Sequence, residues 1–591
     1  MGTAQFAIGI DLGTTNTALG AVRLDDESGI PEALPVPQVV AANETMARTL
    51  VPSFLYQPAS SELPDGALAL PWDKARTFAV GAFAKDRAAA VPGRVIASAK
   101  SWLCHTGVDR RSAILPFGAA ADDDVPRLSP VEVQARLLSH LREAWDQAHP
   151  EAPLGDQQVV LTVPASFDAV ARALTEEAAA QAGLTNLVLL EEPQAALYAW
   201  IARHGDGTAT PWRKQVKPGE QILVVDIGGG TTDFSLIAVA DDGAGNLTLE
   251  RKAVGDHILL GGDNMDLALA YGVRQRLSDD GREIDDWHLR ALTHSCRAAK
   301  EAMLEDTALG EATVVIPGRG SKLIGGSIKS TLTREQLTAV VVDGFFPIVD
   351  ADARPAQARR AGLQTLGLPY AHDPGITRHL AAFVRGQRPT AVLFNGGVTR
   401  SAVLRQRVLD VIASWCGGVA PAELPGADLD LAVAAGAASY ARVRASKKGL
   451  RIKGGTARAY YVGIEKSELA VPGMAPRVDA VCIAPRGMEE GAEAQLGTEL
   501  GLVVGEPATF RFFASTVRDG DVAGTAVDVG RAKDDLIEVA PIETTLPGDT
   551  HEALVPVTLQ SRVTEIGTLE LFAVEVKSGT RHKLEFQIRG D

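Results

Sequence analysis

Cysteine is scarce in this chain, and so are aromatic residues, long apolar runs and excess positive charge. The four cysteines among 591 residues (Cys104, Cys296, Cys416, Cys482) stand far apart with no Cys-x-x-Cys pair, so neither a disulfide framework nor a zinc site is signalled. No apolar run approaches the roughly 18 residues a membrane-crossing helix needs, and no charged-then-apolar leader precedes the first strand. The expectation is therefore a cytoplasmic protein without a membrane partner. Lys and Arg number 58 against 74 Asp and Glu, a formal charge of −16. With no basic cluster to displace counterions, nucleic acid is excluded as the main partner. What remains is ordinary globular composition, 46% apolar and 22% charged, in a chain too long for one core.

One pattern occurs twice. Phe6 to Ile10 is an apolar strand that runs into Asp11-Leu12-Gly13-Thr14-Thr15-Asn16, and Ile222 to Val225 is another that runs into Asp226-Ile227-Gly228-Gly229-Gly230-Thr231-Thr232-Asp233. A second apolar run follows each tip, Ala18 to Val22 and Phe234 to Val239. Each copy reads as a β-hairpin whose tip offers backbone N–H groups, hydroxyls and a carboxylate. That is the chemistry needed to hold phosphate and its metal ion. Glycines at 13 and 228–230 let backbone approach a phosphate without a side chain in the way. Two such tips predict two related lobes facing each other across a nucleotide.

Elsewhere the grammar is α/β. Residues 31–72 are rich in Pro and small polar residues, with one strand expected from Leu50 to Tyr56 and helices over Ala82 to Ala90 and Val95 to Leu103. Ser129-Pro130-Val131-Glu132 starts a helix predicted to reach Ala148, with a serine cap, proline in the first turn and an early acid. Strand Val159 to Val163, helix Ala169 to Ala182 closed by Gly183, strand Leu187 to Leu190 and a helix opened by Glu191-Glu192-Pro193 follow. A long helical region spans Asn264 to Met303 with a break near Asp279 to Glu283. Strand Thr313 to Ile316 precedes a Gly-rich turn. Strand Ala391 to Phe394 leads into Asn395-Gly396-Gly397-Val398-Thr399-Arg400 and a helix N-terminus, a setting suited to a nucleoside or phosphate. Leu431 to Ala445 is a small-residue helix expected to pack closely on a sheet. From Ser446 to Gly455 the chain turns basic and glycine-punctuated, an interdomain linker, and beyond it strand-like runs dominate, as in an antiparallel β-sandwich.

The ordered set of motifs resembles the ATPase domain of the heat shock protein 70 (DnaK-like) family, from residue 6 to about 445. It comprises Ile10-Asp11-Leu12-Gly13-Thr14-Thr15-Asn16, Asp226 to Asp233, Gly261-Gly262-Asp263 and Gly396-Gly397-Val398-Thr399-Arg400. Val80-Gly81 with Ala84-Lys85 is similar to the segment carrying the lysine that contacts the γ-phosphate. Val163-Pro164-Ala165-Ser166-Phe167 is similar to the proline switch, with Arg172 at the relaying arginine. Glu191-Glu192-Pro193-Gln194-Ala195-Ala196 is similar to the segment holding an acid, here Glu192, near metal and water. Asp430 with Ala432 to Ala438 resembles the closing motif.

The resemblance implies a two-lobed, actin-like α/β ATPase domain over 1–445, a linker over 446–456 and a β-rich substrate-binding domain over 457–591. It implies ATP/ADP with Mg²⁺, and K⁺ beside it. Asp11 and Asp226 would hold the metal through water. Lys85, Glu192, Asp226, Thr231 and Asp233 would be the catalytic set. Gly13, Thr14, Thr15, Asn16, Gly228, Gly229, Gly230, Thr232, Gly262, Lys300, Gly396, Gly397, Arg400 and Asp430 would contact nucleotide, and Pro164 and Arg172 would couple the domains. The implied partners are unfolded polypeptides and a co-chaperone or nucleotide exchange factor.

Three departures accompany the match. Where the family has Cys-Glu-x-Ala-Lys-x-x-Leu-Ser along the adenine-clamping helix, this chain has Cys296-Arg297-Ala298-Ala299-Lys300-Glu301-Ala302-Met303-Leu304. The linker Lys447-Lys448-Gly449-Leu450-Arg451-Ile452-Lys453 is basic where the family's is acidic and leucine-rich. The β-rich part matches loosely, chiefly at Glu565 to Leu571, and no helical lid is read after it. Two alternatives stay open: a small-molecule kinase of the actin and hexokinase superfamily, and a nucleotide-binding regulatory or exchange-factor-like module.

Overall fold

The structure is a computed structural model. It describes residues 4–586 except 27–28, 61, 89, 106, 118–125, 206–207, 244–245, 317–326, 357–367, 369, 427, 453–454, 457, 467–468, 470–475, 490, 504–506, 546–553 and 565–567. The turn expected after Ile316, Lys453 and Gly454 of the linker, and Glu565 to Gly567 lie outside the described residues.

Two mixed sheets carry the two hairpins, and they repeat one plan. In the first, the hairpin Phe6–Leu12 and Asn16–Arg23 is extended by Glu32–Leu34 on one side. On the other side lie the parallel strands Gln158–Val163 and Leu187–Glu191. In the second, Gln221–Ile227 and Thr232–Asp241 form the hairpin, Leu247–Val254 flanks it, and Ala391–Asn395 pairs parallel with its first strand. The register is equivalent in both: Asp11 lies beside Thr162 and Asp226 beside Asn395. Each hairpin aspartate therefore ends a strand buried between antiparallel and parallel neighbours.

Helices cover these sheets where their sequences signal it. Helix α1 (Pro130–Ala148) opens with the expected capping box: Glu132 N–H donates to Ser129 Oγ at 3.1 Å, and Ser129 N–H to Glu132 Oε2 at 2.7 Å. Asp168 caps α2 (Ala169–Gln181), and Pro193 sits in the first turn of α3 (Glu192–Arg203). The long helical region divides as expected into α4 (Gly262–Asp279) and α5 (Asp286–Glu305). Among the described residues no helix is long and apolar enough to cross a membrane.

The small-residue helix α6 (Ala432–Ser446) draws the two sheets together. Its alanines lie so close to the first hairpin that a Cβ on Gly9 would fall 2.1 Å from Ala434 O. Gly436 lies against α3, where a Cβ would fall 1.7 Å from Ala195 O. Around these helices one apolar cluster joins Ala7 and Val160 of the first sheet to Ile222, Val224 and Ile237 of the second. The sheets thus share a core instead of being joined only by chain.

Two expectations are corrected. Residues 31–72 hold more strand than the Pro content suggested, including the hairpin Val36–Ala41 and Glu44–Arg48, turned by Asn43 at φ 63°. Val95 to Leu103 is not one helix. Val95–Ile96 pairs with Leu55–Tyr56, Ser98 adopts φ 54°, and only Ala99–Trp102 is helical. The β-branched pair buries better as strand than as a helix turn.

Beyond α6, the described residues hold a ten-stranded antiparallel sheet from Ala459–Glu465 to Arg581–Phe586, nine strands along one path and Leu500–Val503 paired beside it on Leu554–Val563, around an apolar core that includes Val462, Val481, Phe512, Leu559, Leu571 and Leu584. Strands Glu493–Gln495, Leu500–Val503, Ala526–Asp528 and Ile537–Thr545 of this sheet were not expected from sequence.

The α3–α6 contact is tight enough to test. Gly436→Ala must displace a backbone carbonyl, and overpacking of this kind costs about 1–3 kcal/mol or more. A lowered urea midpoint is expected, whereas the exposed Gly310→Ala change, where an added Cβ meets nothing, should have a much smaller effect.

Candidate nucleotide cleft

The two hairpin tips meet. A Cβ on Gly229 would fall 2.4 Å from Thr15 Oγ1, and one on Gly230 would fall 3.0 Å from Thr14 Cγ2. The first tip is held in shape by the Ser53 hydroxyl, which donates to Gly13 O at 2.6 Å. Gly13 itself has no room for a side chain, since a Cβ would meet Asn16 O at 2.2 Å. The second tip is tied to the start of α4, where Gly262 N–H donates to Gly228 O and Asp263 N–H to Gly229 O.

Around these tips opens a cleft of about 750 Å³, within the range of small-molecule sites. Its wall includes Asp11, Gly13, Thr14, Thr15 and Asn16 from the first hairpin and Asp226, Gly228, Gly229, Gly230 and Thr231 from the second. Lys85, Pro164, Glu192, Gly262, Lys300, Gly396, Gly397, Arg400 and Asp430 also line it. The structure thus brings most of the sequence-expected site residues to one place. Three lie off the wall. Thr232 is fully buried and its hydroxyl donates to Leu260 O at 2.8 Å, so it does not face nucleotide as expected. Asp233 lies beneath the wall, bonded to Ser166. Arg172 pairs with Glu191 at 2.8 Å.

The foot of the cleft is crowded with acid. Thr162 donates to Asp11 Oδ1 at 3.2 Å, and Asn395 Nδ2 donates to Asp226 Oδ2 at 2.7 Å, so each aspartate is oriented by its register partner. Burial, reinforced by Glu192, pushes the Asp11 carboxyl up to about 7. Burial, then Glu192, pushes Asp226 up to about 8, with Asp233 and Asp11 adding to the rise. The buried cation among them is Lys100, whose Nζ lies 2.5 Å from Glu192 Oε1. Burial alone would lower the Lys100 pKa, but Glu192 and Asp11 outweigh it and hold the ammonium above its ordinary range.

Lys100, which was not among the expected site residues, is the lysine paired with Glu192. Lys85 also borders the cleft, but the carboxylate its charge is felt by is Asp263, towards the other end. The sequence did carry a signal for Lys100. A lysine flanked by Ile96, Ala99, Trp102 and Leu103, all buried, is out of place unless it pairs with something.

The far end is charge-rearranged. Arg297 reaches Asp263 with one nitrogen and Asp266 Oδ2 with Nε at 2.6 Å, and Lys300 Nζ lies 2.7 Å from Asp266 Oδ1. The arginine that replaces an acid is thus matched by two acids on α4. Leu304 lines the wall, and Arg400 pairs with Asp430 at 2.8 Å.

Pro164 and Arg172 stand where the cleft meets the C-terminal part. Glu191 is held by Arg172 and by Arg251 of the second sheet, and Arg251 also donates to Gly455 O. Burial would raise the Glu191 pKa, yet the two arginines hold it below the usual range. Leu450 and Ile452 of the linker pack into the shared core, with Ile452 N–H donating to Tyr198 Oη at 2.8 Å. Glu191, Arg251 and this docking were not anticipated.

Two β-hairpins of one plan, whose glycine tips touch over half-buried carboxylates, place the chain among mixed α/β proteins with a cleft between paired sheets. The model of the family described as Hsp70 protein matches residues 72–351. The chain is 30% identical over 456 residues to the chaperone protein HscA homolog of Bordetella pertussis, covering 76% of this chain and 59% of that one. To the HscA homolog of Burkholderia pseudomallei it is 30% identical, covering 75% and 59%. It spans about three fifths of the length of these relatives. The chain is thus similar to heat shock protein 70 proteins over about three quarters of its length.

Mg²⁺ fits the foot of the cleft. Asp11 and Asp226 both line the cleft and would hold the ion through its waters, several of which Mg²⁺ keeps. The raised Asp11 and Asp226 carboxyls and the buried, unpartnered Asn395 Oδ1 mark where cation and water are wanted.

A pH test follows. Without metal, the native state keeps protons on Asp11 and Asp226 that the unfolded chain releases near pH 4. Stability should therefore fall as pH rises from about 4 to about 8. Since Mg²⁺ needs the ionised carboxylates, Mg²⁺-nucleotide should raise Tm more at pH 8 than at pH 6, with proton release at pH 6 measurable by calorimetry in buffers of different ionisation enthalpy.

Proposed function

We propose that the chain is an ATP-dependent chaperone of the heat shock protein 70 type. It would hydrolyse ATP between two actin-like lobes within 1–445 and bind unfolded polypeptide through a β-sandwich within 457–591, with 446–456 as the linker. The observation that carries this reading is the meeting of the two hairpin tips over Asp11, Glu192, Asp226 and Lys100 in a single cleft. The C-terminal β-rich part docked at Gly455 and Arg458 supports a coupled second domain.

Phosphoryl transfer needs positioning and charge neutralisation more than covalent catalysis. The N–H groups and hydroxyls at Gly13 to Thr15 and Gly228 to Thr231 would bind the β- and γ-phosphates. Lys100 would neutralise charge as the γ-phosphoryl leaves, in the role expected of Lys85. Asp11 and Asp226 would hold Mg²⁺ through water, and the ion would neutralise the phosphates; K⁺ would share the acidic foot. Glu192 would orient the attacking water. Lys300, Gly396, Gly397, Arg400 and Asp430 would hold the nucleoside, with Arg297 keeping the acids of α4 neutralised. Slow turnover is expected, as suits a switch. Pro164 and Arg172 would pass nucleotide state to the linker. A cytoplasmic setting, unfolded polypeptides as clients and a co-chaperone or exchange factor complete the proposal.

ATPase assays with and without denatured protein test it. Turnover stimulated by unfolded polypeptide is expected. Turnover only with a small acceptor would favour a kinase, and tight ATP binding without turnover a regulatory module. Lys100→Ala should lower kcat by about 100-fold or more, the scale of losing a preorganised charge at the transferring group. Lys85→Ala should act mainly on nucleotide affinity. The reverse ranking would return the catalytic role to Lys85.

A further inference from the structure

Asp233 faces Asp226 across the second hairpin and is buried, so something other than solvent must fix its orientation. The Ser166 hydroxyl does this, lying 2.6 Å from Asp233 Oδ1. His257 completes the arrangement: its Nδ1 lies 3.0 Å from Ser166 Oγ and 3.4 Å from Asp233 Oδ1. The Ser166 O–H donates to Asp233 Oδ1, which leaves Ser166 Oγ to accept from His257 Nδ1–H. The order is histidine to serine to aspartate. A Ser-His-Asp nucleophile needs the histidine between the other two, accepting the serine proton, so Ser166 is not an activated nucleophile. Phe167 fixes the imidazole edge-on, with ring centroids 5.8 Å apart.

The same loop reaches outward. Ser166 O accepts from Arg458 Nη2 at 3.2 Å, and Arg458 faces Asp256, the neighbour of His257, at 3.8 Å. The loop Ser166–Phe167 therefore touches the second hairpin on one side and the start of the β-rich part on the other. What it orients matters at the foot of the cleft, because the Asp233 charge is felt by both Asp226 and Lys100.

We propose that His257 and Ser166 are positioning residues for ATP turnover, holding Asp233 in register with Asp226 and Lys100, and that Arg458 ties this chain of hydrogen bonds to the docked β-rich part. The proposal rests on the ATPase reading above.

Steady-state ATPase kinetics of the full chain test it. His257→Ala and Ser166→Ala should each lower kcat about tenfold, the scale of one hydrogen bond to a charged group, with KM for ATP within about twofold. The double variant should be no slower than either single one, and His257→Asn, which keeps a donor at the Nδ1 position, should recover most of the loss. Arg458→Ala should lower kcat in the parent and have no effect in the His257→Ala background. Unchanged kcat in His257→Ala, a loss carried by KM, or additive losses without rescue by Asn would overturn the proposal. Imidazole ¹⁵N shifts give a readout independent of turnover. The Nδ1–H tautomer of His257 is expected in the unmodified chain and should be lost in Ser166→Ala. The Nε2–H tautomer in the unmodified chain would refute the hydrogen-bond chain, whereas absence of ATP turnover in the unmodified chain would refute only the ATPase reading.

Discussion

Four carboxylates, Asp11, Glu192, Asp226 and Asp233, crowd the foot of one cleft, Asp233 buried and the other three half-buried, with Lys100 in their midst. Burying a carboxylate without a partner is costly enough that it protonates instead, and the raised Asp11 and Asp226 carboxyls show that response. Lys100 satisfies Glu192, and Ser166 with His257 satisfies Asp233, but Asp11 and Asp226 receive only a hydroxyl and an amide. The fold therefore holds a deficit of positive charge at one point. That deficit makes the site selective for something cationic and multivalent brought in with an anion.

Such a deficit survives only because the scaffold around it is rigid. The two hairpins could relieve their repulsion by separating, and what opposes this is the shared core beneath them. Gly9 and Gly436 let α6 lie in backbone contact with both the first hairpin and α3, and the apolar cluster around these helices draws on both sheets. Small residues here act through distance: a larger side chain would push the carboxylates apart and weaken the field that the cleft presents. The composition of α6, which gives it no amphipathic pattern worth the name, follows from this demand for closeness.

Much of this was legible in the residues. The doubled Asp-Gly-Thr pattern placed two hairpins, the caps at Ser129 and Pro193 placed helices, and the alanine run of α6 announced a close contact. Legibility failed where a residue's role depends on what lies across space. Lys85 and Lys100 are both lysines near helix starts, and only the fold decides which one faces Glu192. Thr231 and Thr232 look equivalent in sequence, yet strand alternation turns one to the cleft and the other into the core. His257 stands in no motif at all, and its importance comes from a loop 91 residues away in sequence.

The two adjacent glutamates Glu191 and Glu192 show how the cleft and the linker are mechanically joined. Glu191 ends its strand and Glu192 opens α3, and there the two side chains diverge: Glu192 turns to Lys100 in the cleft while Glu191 turns to Arg172 and Arg251. Arg251 in turn grips Gly455 O of the linker. The junction of strand and helix thus sets the cleft contact and the linker contact on adjacent residues. Leu450 and Ile452 of that linker dock by apolar burial in the shared core.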